Sequence, residues 1–256
     1  AAGAEHVLLV TTRGEVYALG SNSCGQLGVG KTTDELRAVT EPIKLDDLGS
    51  PVTHAACGDA HSVVVCADGR CFSFGDDRNL QLGVREPSIK DLRRGATSSA
   101  SPRRVDRFNG GKVVGVAAGG GGIEGGHTAF VVEVQGEGTQ VWMSGHGRWG
   151  QLGLKAFKHI SEPKAVGSLA SLREWDEGSQ SAKPIPIVSV ACGERHTVVL
   201  LESGNVFVWG WNESGQLGTG GSQGSHTPIM LKAPPSLRFA PLRHVVCGPR
   251  STAVWT

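Results

Sequence analysis

The feature that most constrains this chain is a four-residue sequence, Gly-Gln-Leu-Gly, that recurs along it. Three copies are identical and a fourth begins with leucine instead of glycine; they occupy residues 25–28, 150–153 and 215–218, with the variant at 80–83. Their glutamines are 55, 70 and 65 residues apart. Repetition at such a period is typical of a chain built from repeated structural units.

A second motif, a glycine shortly followed by histidine, precedes each copy. It begins at Gly3, Gly58, Gly125 and Gly193, and its histidines are His6, His61, His127 and His196. The distance from histidine to glutamine is 20 residues in three units and 24 in the unit of His127. The third unit therefore carries a four-residue insertion.

Two short apolar runs separated by a glycine-containing turn lie between the two motifs. The runs pair as 7–10 with 16–19, 63–66 with 71–74, 129–132 with 141–143, and 197–201 with 206–210. They are rich in β-branched and aromatic residues and bounded by glycine, which predicts antiparallel strands buried on both faces. One short helix is predicted, over residues 168–176.

The length of the repeat predicts a four-stranded antiparallel blade, and hence an all-β protein of the β-propeller class. A single blade cannot cover both faces of its own sheet, so the blades must stack. We predict one domain over residues 1–256, with repeats of about 1–55, 56–117, 118–190, 191–246 and a partial fifth over 247–256. Strands from the other end of the chain are expected to complete this partial blade.

The fourth repeat carries the most complete signature. Residues 193–220 combine Gly-x-x-His-Thr, Gly-x-Val-Phe-x-Trp-Gly-x-Asn and Gly-Gln-Leu-Gly-x-Gly, and in this the chain resembles the regulator of chromosome condensation repeat family over nearly its whole length. The resemblance implies a propeller that usually has seven blades, so either further blades lie upstream or some are degenerate. Members act as a nucleotide exchange factor, an ultraviolet photoreceptor, substrate-binding parts of ubiquitin ligases, or mitochondrial assembly factors.

Composition and motifs argue against several functional classes. The 25 basic and 24 acidic residues nearly cancel, which is unlike a dedicated DNA-binding domain. No apolar run is long enough to cross a membrane, so this segment is not expected to insert into one. The six cysteines are predicted to be reduced thiols, with Cys57, Cys192 and Cys247 as small buried strand residues.

No catalytic, cofactor-binding or metal site is predicted. Each repeated histidine is expected to form a hydrogen bond within its own blade rather than to bind metal. Residues 120–125 match the glycine pattern of a dinucleotide-binding loop, but an apolar strand run follows where a helix is required, so a loop is predicted instead. No serine, histidine and acidic residue stand in a recognisable catalytic arrangement.

Residues 85–107 are the first candidate for partner binding, because they depart most from the repeat and are strongly basic. The candidates there are Arg93, Arg94, Arg103 and Arg104. The segment is predicted either to be a solvated loop or to bind an acidic protein surface or RNA phosphates.

The turn that precedes each glutamine motif is the second candidate, because its residues vary between repeats. Arg78, Arg148, Trp149 and Trp211 have the chemistry of interface anchors. The two tryptophans could equally serve to pack neighbouring blades together.

We therefore predict a non-enzymatic interaction scaffold, a subunit or assembly factor of a mitochondrial complex with protein partners. Residues 74–83 and 147–153, with 172–177 and 184–188, are similar to the mitochondrial branch of the family. The cytoplasm or nucleus is the alternative location, and a guanine nucleotide exchange factor for a small GTPase is the alternative function. A photoreceptor is disfavoured because the six tryptophans are dispersed in the sequence.

Overall fold

Nineteen strands and one short helix make up the secondary structure of the part of the chain that the computed structural model describes, residues 1–30, 38–84, 97–121, 125–178, 180–232 and 241–256. The first eleven strands are β1 His6–Val10, β2 Val16–Ser21, β3 Ala38–Lys44, β4 Val52–Cys57, β5 His61–Cys66, β6 Cys71–Asp76, β7 Ser98–Val105, β8 Lys112–Gly119, β9 His127–Val134, β10 Gly138–Gly145 and β11 Ile160–Ala165. Helix α1, Gly167–Ala170, is followed by β12 Arg173–Asp176, β13 Ser181–Pro184, β14 Ile187–Cys192, β15 His196–Leu201, β16 Val206–Gly210, β17 Ser225–Met230, β18 His244–Gly248 and β19 Ser251–Trp255.

Strands that are consecutive in sequence pair antiparallel to form separate sheets. We call these sheets blade 1 (β1–β3), blade 2 (β4–β7), blade 3 (β8–β11), blade 4 (β14–β17) and blade 5 (β18–β19). Blades 2 to 4 have four strands each, and the hairpin β12–β13 forms a small sheet of its own. The prediction of an all-β propeller with four-stranded antiparallel blades is confirmed. Blades 2 to 5 each start with a strand that precedes the glycine–histidine motif in sequence, whereas blade 1 starts with the strand that follows it.

The blades stack in chain order through their inner strands, with β1 against β4, β4 against β8, β8 against β14 and β14 against β18. The prediction that strands from the other end of the chain complete blade 5 is wrong for the described residues, because β1 and β18–β19 lie in separate sheets. The sequence motif gives the reason. Both β1 and β19 hold the second position of a blade, so one cannot supply what the other lacks.

Neighbouring blades cover each other's faces with apolar side chains. Every residue of β5 and of β15 is buried. Between blades 1 and 2, Leu27 of the first glutamine motif lies in the same apolar cluster as Phe74 of β6. Core burial is therefore a product of stacking, as the strand composition predicted.

The four predicted strand pairs are confirmed, and the predicted helix over 168–176 is wrong for most of its length. The helix has only four residues, Gly167–Ala170, and no side chain caps its first turn. Arg173–Asp176 is instead strand β12, paired with β13. A cross-strand ion pair between Asp176 and Lys183 helps to hold this hairpin.

The basic segment 85–107 is also different from a single loop. Residues 98–105 form β7, the outermost strand of blade 2, and its backbone groups pair with β6. Arg107 lies 3.8 Å from Glu162 of blade 3. The basic residues up to Arg94 lie outside the described part of the chain.

Candidate interaction site on the motif rim

Both sequence motifs lie on one edge of the stacked sheets. Successive strands of an antiparallel sheet run in opposite directions, so the loop after the first strand and the loop after the third lie at the same edge. The glycine–histidine motif occupies the former and the glutamine motif the latter. We call this edge the motif rim; it comprises residues 2–5, 58–60, 193–195 and 248–250 with the turns 22–28, 77–83, 147–153 and 212–218.

Each repeated histidine joins its blade to the next one. His127 Nε2 lies 3.0 Å from Thr197 Oγ1 of blade 4, and that hydroxyl donates to the carbonyl oxygen of Gln151 in blade 3 at 2.8 Å. Equivalent contacts join His6 to Ser62 and Gln26, His61 to Thr128 and Gln81, and His196 to Thr252 and Gln216. The predicted bond within one blade is therefore wrong, because the histidine opens the second strand and faces the hydroxyl at the start of the next blade's second strand.

The histidines in these links are neutral. Because the hydroxyl donates to the glutamine carbonyl, it accepts a hydrogen bond from the Nε2–H of the imidazole. Nδ1 is buried with no hydrogen-bond partner among the described residues, as expected for the nitrogen without a proton in a neutral ring. Burial lowers the pKa of His61 to about 4 and that of His127, with help from His196, to about 3. The backbone of Gly58 packs so closely on the His61 ring that any Cβ there would overlap the ring. The four imidazoles are therefore buried links between neighbouring blades.

Turns of the glutamine motif are held by their own side chains. Gln26 Oε1 accepts the backbone N–H of Cys24, and Asn22 Oδ1 accepts that of Leu27. In blade 4, Asn212 Oδ1 accepts the backbone N–H of Leu217 in the same way, and the Asn212 side chain is completely buried. Internal hydrogen bonds of this kind fix the turn geometry, so that the remaining side chains are presented from a rigid support.

Residues from all five blades line a cavity of about 550 Å³, with glycines from every blade and cysteines from blades 2, 4 and 5. Asp59 and Glu194 are its acidic residues, and burial together with Glu194 raises the pKa of Asp59. All six cysteines of the protein are free thiols, as predicted. Cys57, Cys192 and Cys247 line the cavity and are only partly buried, so the prediction that they are buried is wrong. Partial burial raises the pKa of the Cys57 thiol to about 11 and that of the Cys247 thiol to about 12.

A ladder of alternating tryptophan and arginine crosses blades 3, 4 and 5 on the motif rim. The Arg195 guanidinium carbon lies 4.9 Å from the ring centre of Trp149 and 5.0 Å from that of Trp211. The Arg250 guanidinium carbon lies 5.6 Å from the ring centre of Trp211. We call Trp149, Arg195, Trp211 and Arg250 the Arg–Trp ladder. Cation–π contacts of this length are attractive, and more so when partly desolvated.

Glu194 bridges the two arginines of the ladder. Its carboxylate lies 3.3 Å from Arg195 Nη2 and 3.3 Å from Arg250 Nε. The Arg195 side chain is only 12% exposed, whereas that of Arg250 is 58% exposed and Trp149 is 36% exposed. Arg195 is thus the fixed centre of the ladder, and its two ends face solvent.

The long loop of blade 3 packs against the turn that carries Arg148 and Trp149. The rings of His146 and His159 meet edge to face with centres 4.5 Å apart. Gly147 lies against the carbonyl oxygen of Lys158, where a Cβ would not fit. Burial, then the charges of His159, Arg148 and Arg195, lower the pKa of His146 to about 4. The four-residue insertion seen in the sequence lies elsewhere, because it lengthens the β9–β10 hairpin: His127 pairs with Gly145, whereas His196 pairs with Gly210.

The structure separates the predicted partner-binding residues into two groups. Trp149 and Trp211 meet through Arg195, so the expectation that the tryptophans are dispersed is wrong for these two. Arg148 is exposed beside them.

The other predicted residues lie away from this group. Arg78 pairs with Asp76 of its own turn at 2.8 Å. Arg103 and Arg104 are exposed on β7, and Arg93 and Arg94 lie outside the described residues.

Sequence reasoning missed Arg195, Arg250 and Glu194, although a signal for them existed. They occupy the two variable positions of the glycine–histidine motif and of its partial fifth copy. Elsewhere these positions hold Ala4 with Glu5, or Asp59 with Ala60. Comparison of these variable positions with those of the glutamine motif would have found the ladder, because the two loops share one edge of the sheet.

No group of three or more histidine, cysteine, aspartate or glutamate side chains suited to a metal ion is present among the described residues. No helix in that part of the chain is long and apolar enough to cross a membrane. The geometry of the rim offers cationic and aromatic surface on a rigid frame, which is the chemistry of protein recognition.

Fold and rim together define a β-propeller with structural motifs and a variable interaction edge. The family model described as Regulator of chromosome condensation (RCC1) repeat matches residues 13–65, 68–123, 140–200 and 203–255. The chain belongs to this family.

Similar solved structures share the whole arrangement. Human WBSCR16 superposes with a TM-score of 0.77 and 28% identity, over 99% of this chain and 56% of that one. Yeast RCC1 (Prp20) superposes with a TM-score of 0.75 and 20% identity, over 98% of this chain and 52% of that one. The second likeness shows the fold alone.

Curated relatives include proteins of different kinds. The probable E3 ubiquitin-protein ligase HERC6 of Homo sapiens is 31% identical over 84% of this chain and 18% of its own length. The ultraviolet-B receptor UVR8 of Arabidopsis thaliana is 31% identical over 90% of this chain and 45% of its own length. The chain thus spans less than half of these two relatives.

Proposed function

We propose that this protein is a non-enzymatic interaction scaffold, acting as a subunit or assembly factor of a mitochondrial macromolecular complex. The observation that carries the proposal is the Arg–Trp ladder, which presents exposed Trp149 and Arg250 from a rigid rim. Tryptophan and arginine are the residue types that contribute most binding energy at protein interfaces.

The use of the repeated polar residues supports a scaffold over an enzyme. The four histidines, which would be the first candidates for acid–base catalysis, are neutral and bound to the next blade. Rigid placement of side chains at a loop-bearing edge is the usual way in which repeat folds present a binding surface. The mitochondrial location rests on the resemblance of the sequence segments 74–83 and 147–153 to that branch of the family.

The test is affinity purification of the full-length protein from fractionated cells, followed by native gel electrophoresis. We expect the protein in the mitochondrial fraction, co-migrating with stoichiometric partners in a particle larger than the monomer. Recovery as a free monomer in the cytosol or nucleus would contradict the proposal. If a small GTPase co-purifies, release of fluorescent GDP from that GTPase is measured; acceleration at catalytic concentrations would favour an exchange factor instead.

A further inference from the structure

The Arg–Trp ladder is rigid before any partner arrives. Arg195 is held between two tryptophan rings, and Glu194 joins it to Arg250. Side chains that are already ordered lose little conformational entropy on binding, so more of the interaction energy of a contact with them remains as binding free energy. The ladder also continues across three blades, which gives it the extent of a docking surface rather than of a single contact.

Charge on this part of the rim is unbalanced. Arg148 is exposed and makes no ion pair within the described part of the chain. A second exposed cation, Lys158, lies on the loop whose backbone packs against Gly147 of the same turn. Together with Arg195 and Arg250 these four cations outnumber the three nearby carboxylates of Glu194, Glu213 and Asp59. The chain as a whole has a net charge of +1, so the basic character is local. Such a patch attracts an acidic partner.

The tryptophan faces argue for a protein rather than a nucleic acid. Bases bind single-stranded nucleic-acid sites by stacking on free aromatic faces. Here Arg195 lies over both rings and Arg250 lies over Trp211 as well. At Trp211 a base would have to displace these guanidinium groups, whereas a carboxylate needs only the exposed N–H groups of Arg250.

From these observations we infer that the Arg–Trp ladder, with Arg148, docks an acidic segment of a partner protein. Carboxylates of the segment pair with Arg148 and Arg250, and an apolar side chain packs on the exposed part of Trp149. This inference rests on the proposed scaffold function and names the chemistry of its partner.

The first experiment is site-specific photo-cross-linking in the complex of the full-length protein. Phe157 is exposed on the loop that packs against the Arg148 turn, and it is replaced by p-benzoylphenylalanine so that the ladder itself stays intact. The matched control is the same replacement at Trp175, which is 65% exposed on the β12–β13 hairpin at the opposite edge. We expect cross-linked partner peptides of net negative charge at position 157 and none of these at 175. Cross-links to RNA at position 157, or to basic peptides, would overturn the inference.

The second experiment reverses charge in the same cross-linking protein. R148E/R250E is compared with R13E/K112E, an equal charge change at exposed residues of the opposite edge. We expect the first pair to lower the yield at position 157 by at least about tenfold and the second to leave it unchanged. An equal yield in both variants, with the complex intact, overturns the ladder inference alone. Failure to recover any complex from wild-type protein overturns the proposed function itself.

Discussion

Strands β15 and β19 hold the same position in successive blades and have similar sequences, yet they differ in burial. All six residues of β15 are buried. In β19 exposed residues alternate with half-buried ones. β15 packs between blades 3 and 5, whereas β19 packs against blade 4 and has no second neighbouring blade within the described residues. The comparison shows that the repeat sequence provides strands with apolar faces, and that these faces become buried only where a neighbouring blade packs against them.

Two tryptophans give the strongest test of this difference. Trp209 of blade 4 is fully buried, and its indole N–H donates to the Gln151 carbonyl of blade 3 at 2.7 Å. Trp255 of blade 5 is exposed and stacks on His244. We expect Trp209→Ala to lower the free energy of unfolding by about 3 to 5 kcal/mol and Trp255→Ala by about 1 kcal/mol or less. Chemical denaturation measures both; equal losses would show that blade 5 is as well covered as blade 4.

Acidification should weaken the links between covered blades. In the unfolded chain His127 has an ordinary pKa near 6.5, and in the folded protein its pKa is about 3. Between pH 6.5 and pH 3 the unfolded chain binds more protons than the folded protein. The stability that neutral His127 contributes is therefore present above about pH 6.5 and is lost as the pH falls toward 3. We expect His127 to account for about 2 kcal/mol of the loss between pH 7 and 5.

The measurement for His127 compares the pH dependence of unfolding in the wild type and in His127→Gln. The variant should show a shallower slope over this range, whatever its stability at pH 7. Parallel curves would mean that His127 is not buried in the neutral form.

Removal of a hydroxyl that links two blades should cost less stability than Trp209→Ala. The cost should again be larger between two covered blades than at blade 5. Thr197→Val removes a buried group that contacts both His127 and Gln151, and we expect a cost of about 1 to 3 kcal/mol. Thr252 makes the equivalent contacts with His196 and Gln216 at the partly exposed edge of blade 5, where water can replace the hydroxyl. Thr252→Val should therefore cost less than Thr197→Val, and the opposite order would refute this explanation.

The smallest effect is expected in the hairpin that joins blades 3 and 4. Trp175 lies on β12, which pairs only with β13, and most of its ring is in solvent. We expect Trp175→Ser to change the free energy of unfolding by less than about 0.5 kcal/mol. A loss comparable to that of Trp209→Ala would show that the hairpin packs against the blades.

The sequence predicted the fold well wherever local pattern and stacking agree. Glycine-bounded apolar runs gave all four strand pairs, because those strands are buried between neighbours and carry their own signature. Local pattern failed at Arg173–Asp176, where pairing with β13 satisfied the backbone in place of a helix. Spacing within one repeat also could not show that His127 contacts Thr197, since that contact crosses 70 residues.

The candidate site was only half visible in the sequence. Trp149 and Trp211 were found because they replace ordinary turn residues, but Arg195 lies in the other motif and becomes their neighbour only when two blades stack. Basic residues of 85–107 attracted attention by composition. Composition alone could not separate Arg103 on a paired strand from an exposed loop.

The central claim is that each blade is bound to the next through its repeated motif. A double-mutant cycle between His127 and Thr197 tests this claim most directly. Unfolding free energies of His127→Gln, Thr197→Val and the double variant give the coupling, and the same cycle with Thr128→Val, adjacent in sequence but bound to His61, is the control. We predict a coupling of about 1 kcal/mol or more with Thr197 and less than about 0.5 kcal/mol with Thr128. Coupling to Thr128 without coupling to Thr197 would contradict the account.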